Sequence, residues 1–380
     1  MSGNQKRPAT RLVEGGRRKA WRGRLVNPPV ERASTILFDS VAEMESGTAA
    51  LGSYRYGLQG TATHWALSEA LTELEPGAAG TALFPSGLAA ITSTLLAILS
   101  PGDELLAPDS VYGPTRKFCA TSLKRFGVTT RYYDPLTLPQ PGPQTRAILL
   151  ESPGSLTMEV QDVPAITALA RERSIVTIID NTWATPLLFP AIAAGVDISI
   201  MAGTKYVGGH ADVMLGTATA TAEHFEQLQS IAWDLGQCVS ADDAWLASRG
   251  LRTMGVRLKQ HEENALKIAH WLKTRPEVGL VLHPALPDCP GHELWKRDFK
   301  GSSGLFSFEL KTADRARFVD SLTMFGIGYS WGGYESLAMP VDGYRMVSAA
   351  PAPNLVRLHI GLEDPDDLID DLASAFSASR

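Results

Sequence analysis

Two residues define the chemistry open to this sequence. Asp180 ends the apolar run Ile175-Val176-Thr177-Ile178-Ile179, and Lys205 follows soon after a second apolar run at 197–201. If both runs are buried strands of a parallel sheet, the acid and the amine reach its carboxyl edge, where open α/β sheets gather ligands. A lysine amine there can form an imine with an aldehyde. A neighbouring carboxylate can keep a pyridine nitrogen protonated, and pyridoxal phosphate (PLP) needs both. An ordinary Asp–Lys ion pair at the sheet edge is the plainer reading of the same two residues.

Other residues carry related signals. Pro85-Ser86-Gly87-Leu88 stands at a strand-to-helix junction, where backbone amides bind phosphate, and Thr204 offers a hydroxyl beside Lys205. A turn capped by a serine is the alternative there. Tyr112, after the strand-like Leu105-Leu106, could stack on a planar ring or be a half-buried loop residue. Arg357 lies inside the strand-like run Leu355-Val356-Arg357-Leu358-His359-Ile360 and needs an anion, either a substrate carboxylate or an acid such as Glu363. Ser86, His64 or His210, and Asp180 could be drawn as a hydrolase triad. Ser86 lacks the G-x-S-x-G elbow that such a nucleophile uses.

These residues need a scaffold to position them. Strand-like segments at 81–84, 103–107, 146–151, 174–180 and 197–201 alternate with helical spacing, as at Leu88, Ile91, Leu95, Ile98 and Leu99 and over 163–173. Such alternation predicts an α/β fold with a mostly parallel sheet covered on both faces. After about residue 255 the pattern becomes a long helix over 256–275, strands at 305–310 and 355–360, and a last helix capped by Asp364 with Pro365 in its first turn. That is a smaller α+β domain. The first sixty residues read as irregular and are expected to wrap onto a neighbour. The expected divisions are an arm at 1–60, a large domain at 61–255 and a small domain at 256–380.

A chain of 380 residues with net charge −6 has room for two or three domain-sized units and no overall basic field, so no nucleic-acid partner is expected. The basic run from Lys6 to Arg24 reads as a solvated tail. No secretory pattern or membrane span is apparent, and no membrane partner is expected. Cys119, Cys238 and Cys289 are scattered without metal-ligand spacing, which predicts no metal, free thiols and a cytoplasmic setting.

Longer stretches add a resemblance. Asp180-Asn181-Thr182-Trp183-Ala184 and Gly203-Thr204-Lys205-Tyr206-Val207-Gly208-Gly209-His210 resemble the Cys/Met-metabolism family of PLP enzymes. Glu151-Ser152-Pro153-Gly154-Ser155, Ser248-Arg249-Gly250-Leu251-Arg252-Thr253, Tyr329-Ser330-Trp331-Gly332-Gly333-Tyr334-Glu335-Ser336 and Arg357-Leu358-His359-Ile360-Gly361-Leu362-Glu363-Asp364 are similar to its cystathionine β-lyase branch. The likeness runs from about Asn27 onward. It implies a fold-type I, PLP-dependent transferase-like fold and carbon–sulfur β-cleavage of a sulfur amino acid. A γ-acting relative, synthase or lyase, is the alternative.

The resemblance also implies roles. Lys205 would be the Schiff-base lysine, with Tyr112 stacked on the ring and sharing the proton transfers. Asp180 would face the pyridine nitrogen. Gly87, Leu88 and Thr204 would hold the phosphate, and Ser155 would stand beside the cofactor. Tyr329, Ser330 and Trp331 would line the substrate site, and Arg357 would take its α-carboxylate. Tyr56 would be lent to a neighbour within a homotetramer. Three positions depart from the pattern: Leu58 replaces the arginine of Tyr-x-Arg, Gln59 a second arginine, and Lys117 an acid.

Overall fold

The computed structural model of the chain describes residues 6–46, 52–311 and 314–379. The chain opens with helix α1 (Pro8–Glu14) and α2 (Ala62–Thr72), then β1 (Gly80–Phe84), α3 (Gly87–Ile98), β2 (Glu104–Pro108), β3 (Thr129–Tyr133) and β4 (Thr145–Glu151). It continues with α4 (Val163–Glu172), β5 (Val176–Asp180), β6 (Ile198–Ala202), β7 (Gly216–Ala220) and α5 (Phe225–Asp234). The last part holds α6 (Ala241–Lys273), β8 (Val278–Leu282), β9 (Leu305–Leu310), β10 (Gly326–Ile327), β11 (Leu337–Val341), β12 (Leu355–His359) and α7 (Pro365–Ala378).

Seven strands form one sheet in the order β1-β7-β6-β5-β4-β2-β3, and only β7 runs against the rest. The continuous apolar runs are explained by burial on both faces. Ile148, Ile178, Ile179, Ile198 and Ile200 are all buried, between two apolar clusters. A second sheet, β10-β11-β12-β9-β8, carries its own core of Phe306, Phe308, Phe318, Leu358 and Phe376. Both predicted sheets are present, and Asp364 caps α7 through the Asp366 amide as expected.

The structure departs from the sequence reading in three places. Strand β7, Gly-Thr-Ala-Thr-Ala, has no hydrophobic run, yet it is wholly buried, and the Thr219 hydroxyl meets that of Thr81 at 2.9 Å. Helix α6 begins at Ala241 rather than near 256. Gly250 and Gly255 interrupt the pattern in sequence but not the helix, and a Cβ at Gly250 would lie 2.2 Å from the Gly208 carbonyl oxygen. The basic N-terminal run is not a solvated tail. Leu12 of α1 is buried, Arg252 donates to the carbonyls of Leu12 (2.7 Å) and Gly15 (2.9 Å), and Arg18 pairs with Glu69. The arm is likewise not wholly irregular, since it contains α1 and two further helical turns before residue 47.

Glu75, between α2 and β1, is buried against β6, where its carboxylate accepts from Ser199 Oγ at 2.7 Å and from Ile192 N at 3.4 Å. Burial pushes its pKa up to about 7, against the pull of these donors. The raised value means that the native state favours the protonated acid. Its contribution is therefore full below the ordinary value of 4.5 and is lost as pH rises to about 7. Glu75→Gln should flatten this decline, a difference of about 3 kcal/mol across the window by denaturant unfolding at several pH values. Parallel wild-type and variant curves would show that the carboxyl does not titrate there.

Candidate active site

Because β1, β2, β4, β5 and β6 point the same way, the residues just past their carboxyl ends share one edge of the sheet. Those residues are Ser86-Gly87, Tyr112, Ser155, Asp180 and Lys205. Register fixes the centre of the group: Glu151 on β4 stands opposite Asp180 on β5, which stands opposite Ile200 on β6.

Asp180 is held by a short relay. The Ala202 amide donates to Thr182 Oγ1 (2.8 Å), and the Thr182 hydroxyl and amide donate to Asp180 Oδ1 (2.5 and 3.1 Å). Burial raises the Asp180 pKa, while the Thr182 hydrogen bonds and the Lys205 charge oppose the rise. Glu151 is driven well above the usual carboxylate range, by burial first and then by Asp180. Its Oε2 accepts from the Tyr112 amide at 2.7 Å, and its side chain is also bonded to Ser155.

Lys205 does not pair with Asp180: among the described residues no ion pair joins them, so the plain ion-pair reading fails. Its Nζ instead donates to Ser330 Oγ at 2.5 Å and lies 5.4 Å from the centre of the Trp331 ring. Burial and the nearby Arg357 charge bring its pKa down to about 8, against Asp180. Arg357 donates to the Ser330 carbonyl at 2.9 Å and has no acidic partner among the described residues. Glu363, its alternative partner, receives the amide and hydroxyl of Ser336 instead, both at 2.7 Å. Ser330 can face both ways because its backbone adopts φ 81°, unusual for a residue with a side chain.

On the other side of the edge, Ser86 caps α3, accepting from the Ala89 amide at 3.1 Å. The amides of Gly87 and Leu88 that follow lack intrahelical acceptors and form the positive end of the helix dipole. A Cβ at Gly87 would lie 2.5 Å from that of Ala202, so only glycine lets the helix start approach β6 this closely. The Thr204 hydroxyl exchanges hydrogen bonds with the Leu215 backbone (3.0 and 3.2 Å). Tyr112 is half-exposed. Burial raises its pKa first, followed by the charges of Asp180 and Glu151, so its phenol lies in their field. Tyr329 is 88% exposed at the rim.

Tyr56 stands outside this group. It is exposed, it pairs through its backbone with Thr35, and its phenol has no partner among the described residues. The hydrolase triad is not assembled, since Ser86 is engaged as a cap and His64 is tied to the Thr61 amide and the Val239 carbonyl. The sequence reading gave no role to Glu151 or Thr182. Their positions, ending β4 in register with Asp180 and two residues beyond Asp180, were the available signal.

The residues present fit PLP. There is an amine whose pKa burial lowers to about 8, free amides at a helix start and, among the described residues, an aspartate without a cation and a guanidinium without an anion. An α/β sheet edge equipped in this way defines a fold-type I, PLP-dependent enzyme. Comparison with known proteins agrees. Residues 9–377 match the family described as Cys/Met metabolism PLP-dependent enzyme, and the chain belongs to that family. It is 47% identical to cystathionine beta-lyase MetC of Escherichia coli (strain K12) over 97% of this chain and 98% of that one. Its identity to the cystathionine gamma-synthase of Mycobacterium bovis is 34% over 97% of this chain and 96% of that protein. The crystal structure of metB from Corynebacterium glutamicum superposes with a TM-score of 0.91 at 30% identity, covering 99% of each chain.

Arg357→Leu removes the cation that helps hold the Lys205 pKa near 8, so that pKa should rise toward the model-peptide lysine value. The pH dependence of Lys205 acylation in the apoprotein, followed by peptide mapping, should move to higher pH. An unmoved profile would show that the two charges do not interact.

Proposed function

We propose that this chain is a carbon–sulfur β-lyase that cleaves cystathionine or related cysteine S-conjugates to a thiol such as homocysteine, pyruvate and ammonia. The observation that carries this reading is the amine of Lys205 placed beside both an aspartate without a cation and an arginine without an anion. When bound, PLP supplies an electron sink for the pair left at the substrate Cα. Asp180 would keep the ring nitrogen protonated. Gly87, Leu88 and Thr204 would hold the phosphate, and Ser155 and Tyr112 would stand beside the ring.

Arg357 grips the α-carboxylate in a fork and so orients the Cα–H toward Lys205. The neutral Lys205 amine, favoured by its pKa of about 8, removes that proton as general base. Lys205 or Tyr112 then supplies a proton to the departing sulfur. Tyr329, Ser330 and Trp331 close the substrate side. The arm at 1–60 serves a neighbouring subunit in a homotetramer, to which the exposed Tyr56 phenol, without a partner among the described residues, is suited. The division at 61–255 and 256–380 leaves PLP with the first part and Arg357 with the second. The free thiols of Cys119, Cys238 and Cys289 suit a cytoplasmic enzyme.

Lys205→Ala should keep the fold by circular dichroism and lose turnover by at least about a thousandfold. Borohydride should fix the cofactor on the Lys205 peptide of the wild type. A substrate panel scored for both pyruvate and 2-oxobutyrate tests the reaction: pyruvate supports β-cleavage, whereas dominant 2-oxobutyrate assigns the γ-acting alternative. Leu58→Arg restores the cation that the family pattern carries, and should tighten PLP by about tenfold in equilibrium dialysis. Unchanged or weaker binding rejects a role for that missing charge.

A further inference from the structure

Gly250, Thr253 and Arg257 follow one another at helical spacing on α6 and so share one face. That face meets the turn at 203–209, which carries Lys205. The turn closes through the Gly208 amide on the Gly203 carbonyl and the Gly209 amide on the Lys205 carbonyl, both at 2.8 Å. It ends at Gly209 with φ +72°. Three successive carbonyls of the turn lie toward the helix. That of Tyr206 accepts from Arg257 at 2.7 Å, and a Cβ at Gly250 would stand 2.4 Å from the Val207 oxygen and 2.2 Å from the Gly208 oxygen.

The guanidinium of Arg257 is only 6% exposed, and no acid pairs with it among the described residues. Its Nη2 donates to the carbonyls of both Tyr206 (2.7 Å) and Gly250 (2.8 Å), and its Nε donates to Thr253 Oγ1 (3.2 Å). One nitrogen therefore bridges the lysine turn and the helix. Every donor here is an N–H and every acceptor an oxygen, so the direction of each bond is fixed. Burying a cation without an anion is costly, and the carbonyl end of a turn supplies the partial negative charge that offsets part of that cost. Burial draws the Arg257 pKa down to about 10, which leaves it charged at neutral pH. The turn also makes room for it: a Cβ at Gly209 would stand 2.1 Å from Nη1.

We propose that Arg257 is a positioning residue: by bridging the Tyr206 and Gly250 carbonyls it clamps the Lys205-bearing turn to α6 and so fixes the main chain from which the amine reaches its targets. The proposal rests on Lys205 being the reacting amine. The carbonyl that Arg257 holds belongs to the residue following Lys205, and the Lys205 carbonyl is itself tied to Gly209, against which the guanidinium lies. The amine has to meet the cofactor and then the substrate Cα–H from one backbone position, so drift of the turn costs alignment at both.

Arg257→Met keeps an unbranched side chain and removes the donors. In the holoenzyme at saturating PLP, its kcat per bound cofactor should fall about tenfold with KM changed by less than about threefold, and the visible circular dichroism of the bound cofactor should weaken. Arg257→Lys, which keeps the charge and can reach one carbonyl, should recover part of both losses. Thr253→Val removes only the acceptor that steers Nε, and should lower kcat by about threefold. A Met variant that unfolds at lower denaturant yet keeps wild-type kcat and dichroism would make Arg257 a packing residue and overturn the proposal, as would a Lys variant no better than the Met one. If the Met variant does not fold, the Lys and Val variants decide: losses of kcat and dichroism support the clamp, and wild-type values in both overturn it. Failure of borohydride to fix the cofactor on the wild-type Lys205 peptide is a separate result, which removes the lysine reading and the proposal with it, whereas the variants strike the proposal alone.

Discussion

Glu151 and Asp180 end neighbouring strands in direct register, so two carboxyl groups share one corner of the sheet edge. Like charges at that separation and depth cannot both ionise without a cation between or beside them. The surroundings divide the work unequally. Asp180 receives both hydrogen bonds of Thr182, which favour its charged form, whereas Glu151 is driven furthest toward the neutral acid. The Lys205 amine is too far to form an ion pair with Asp180 and is itself drawn toward neutrality. Of the two acids, Asp180 is therefore the better supported in its charged form, which suits it to a flat cation such as a protonated pyridine ring.

The small sheet completes the site from outside. Arg357 comes from β12 and touches Ser330, the same residue whose hydroxyl meets Lys205. The two sheets are tied near this point by the Trp183 indole on the Leu305 carbonyl (2.9 Å) and by the Gly304 amide on the Tyr206 phenol (3.0 Å). Tyr206 directly follows Lys205, so the bond that anchors the small domain also steadies the lysine. A guanidinium largely out of water with no acid beside it among the described residues is costly, so Arg357 is suited to receiving an anion across from the amine.

The most legible parts of the sequence were those where one signal had one physical cause. The uninterrupted run before Asp180 could only be a strand buried on both faces, and Asp364-Pro365 could only open a helix. Local pattern misled where distant packing decided. Gly250 looks like a helix breaker, but it is there because the Gly208 carbonyl lies against that turn of α6. The true start of α6 was signalled by Ser240, whose hydroxyl accepts from the Asp242 and Asp243 amides. β7 is built largely of alanine and threonine, and the Thr219 hydroxyl meets its partner, Thr81, only in the folded sheet. In the site, Lys205, Asp180 and Arg357 could be found by residue type. Glu151, Thr182 and Arg257 could not, because their significance lies in cross-strand register and in which backbone groups they face.

Helix α6 spans 33 residues without a break, about 50 Å, with α1 and α2 packed on its early turns and β8 and α7 on its later ones. Continuous helices curve only gently, and domain hinges need loop or terminal residues to absorb large dihedral changes. The helix therefore acts as a stiff beam packed against elements of both halves, and opposing rotations of the two halves would have to bend it. The exposed side chains at the mouth of the cleft, Tyr329 and Tyr112, are the ones left free of that beam.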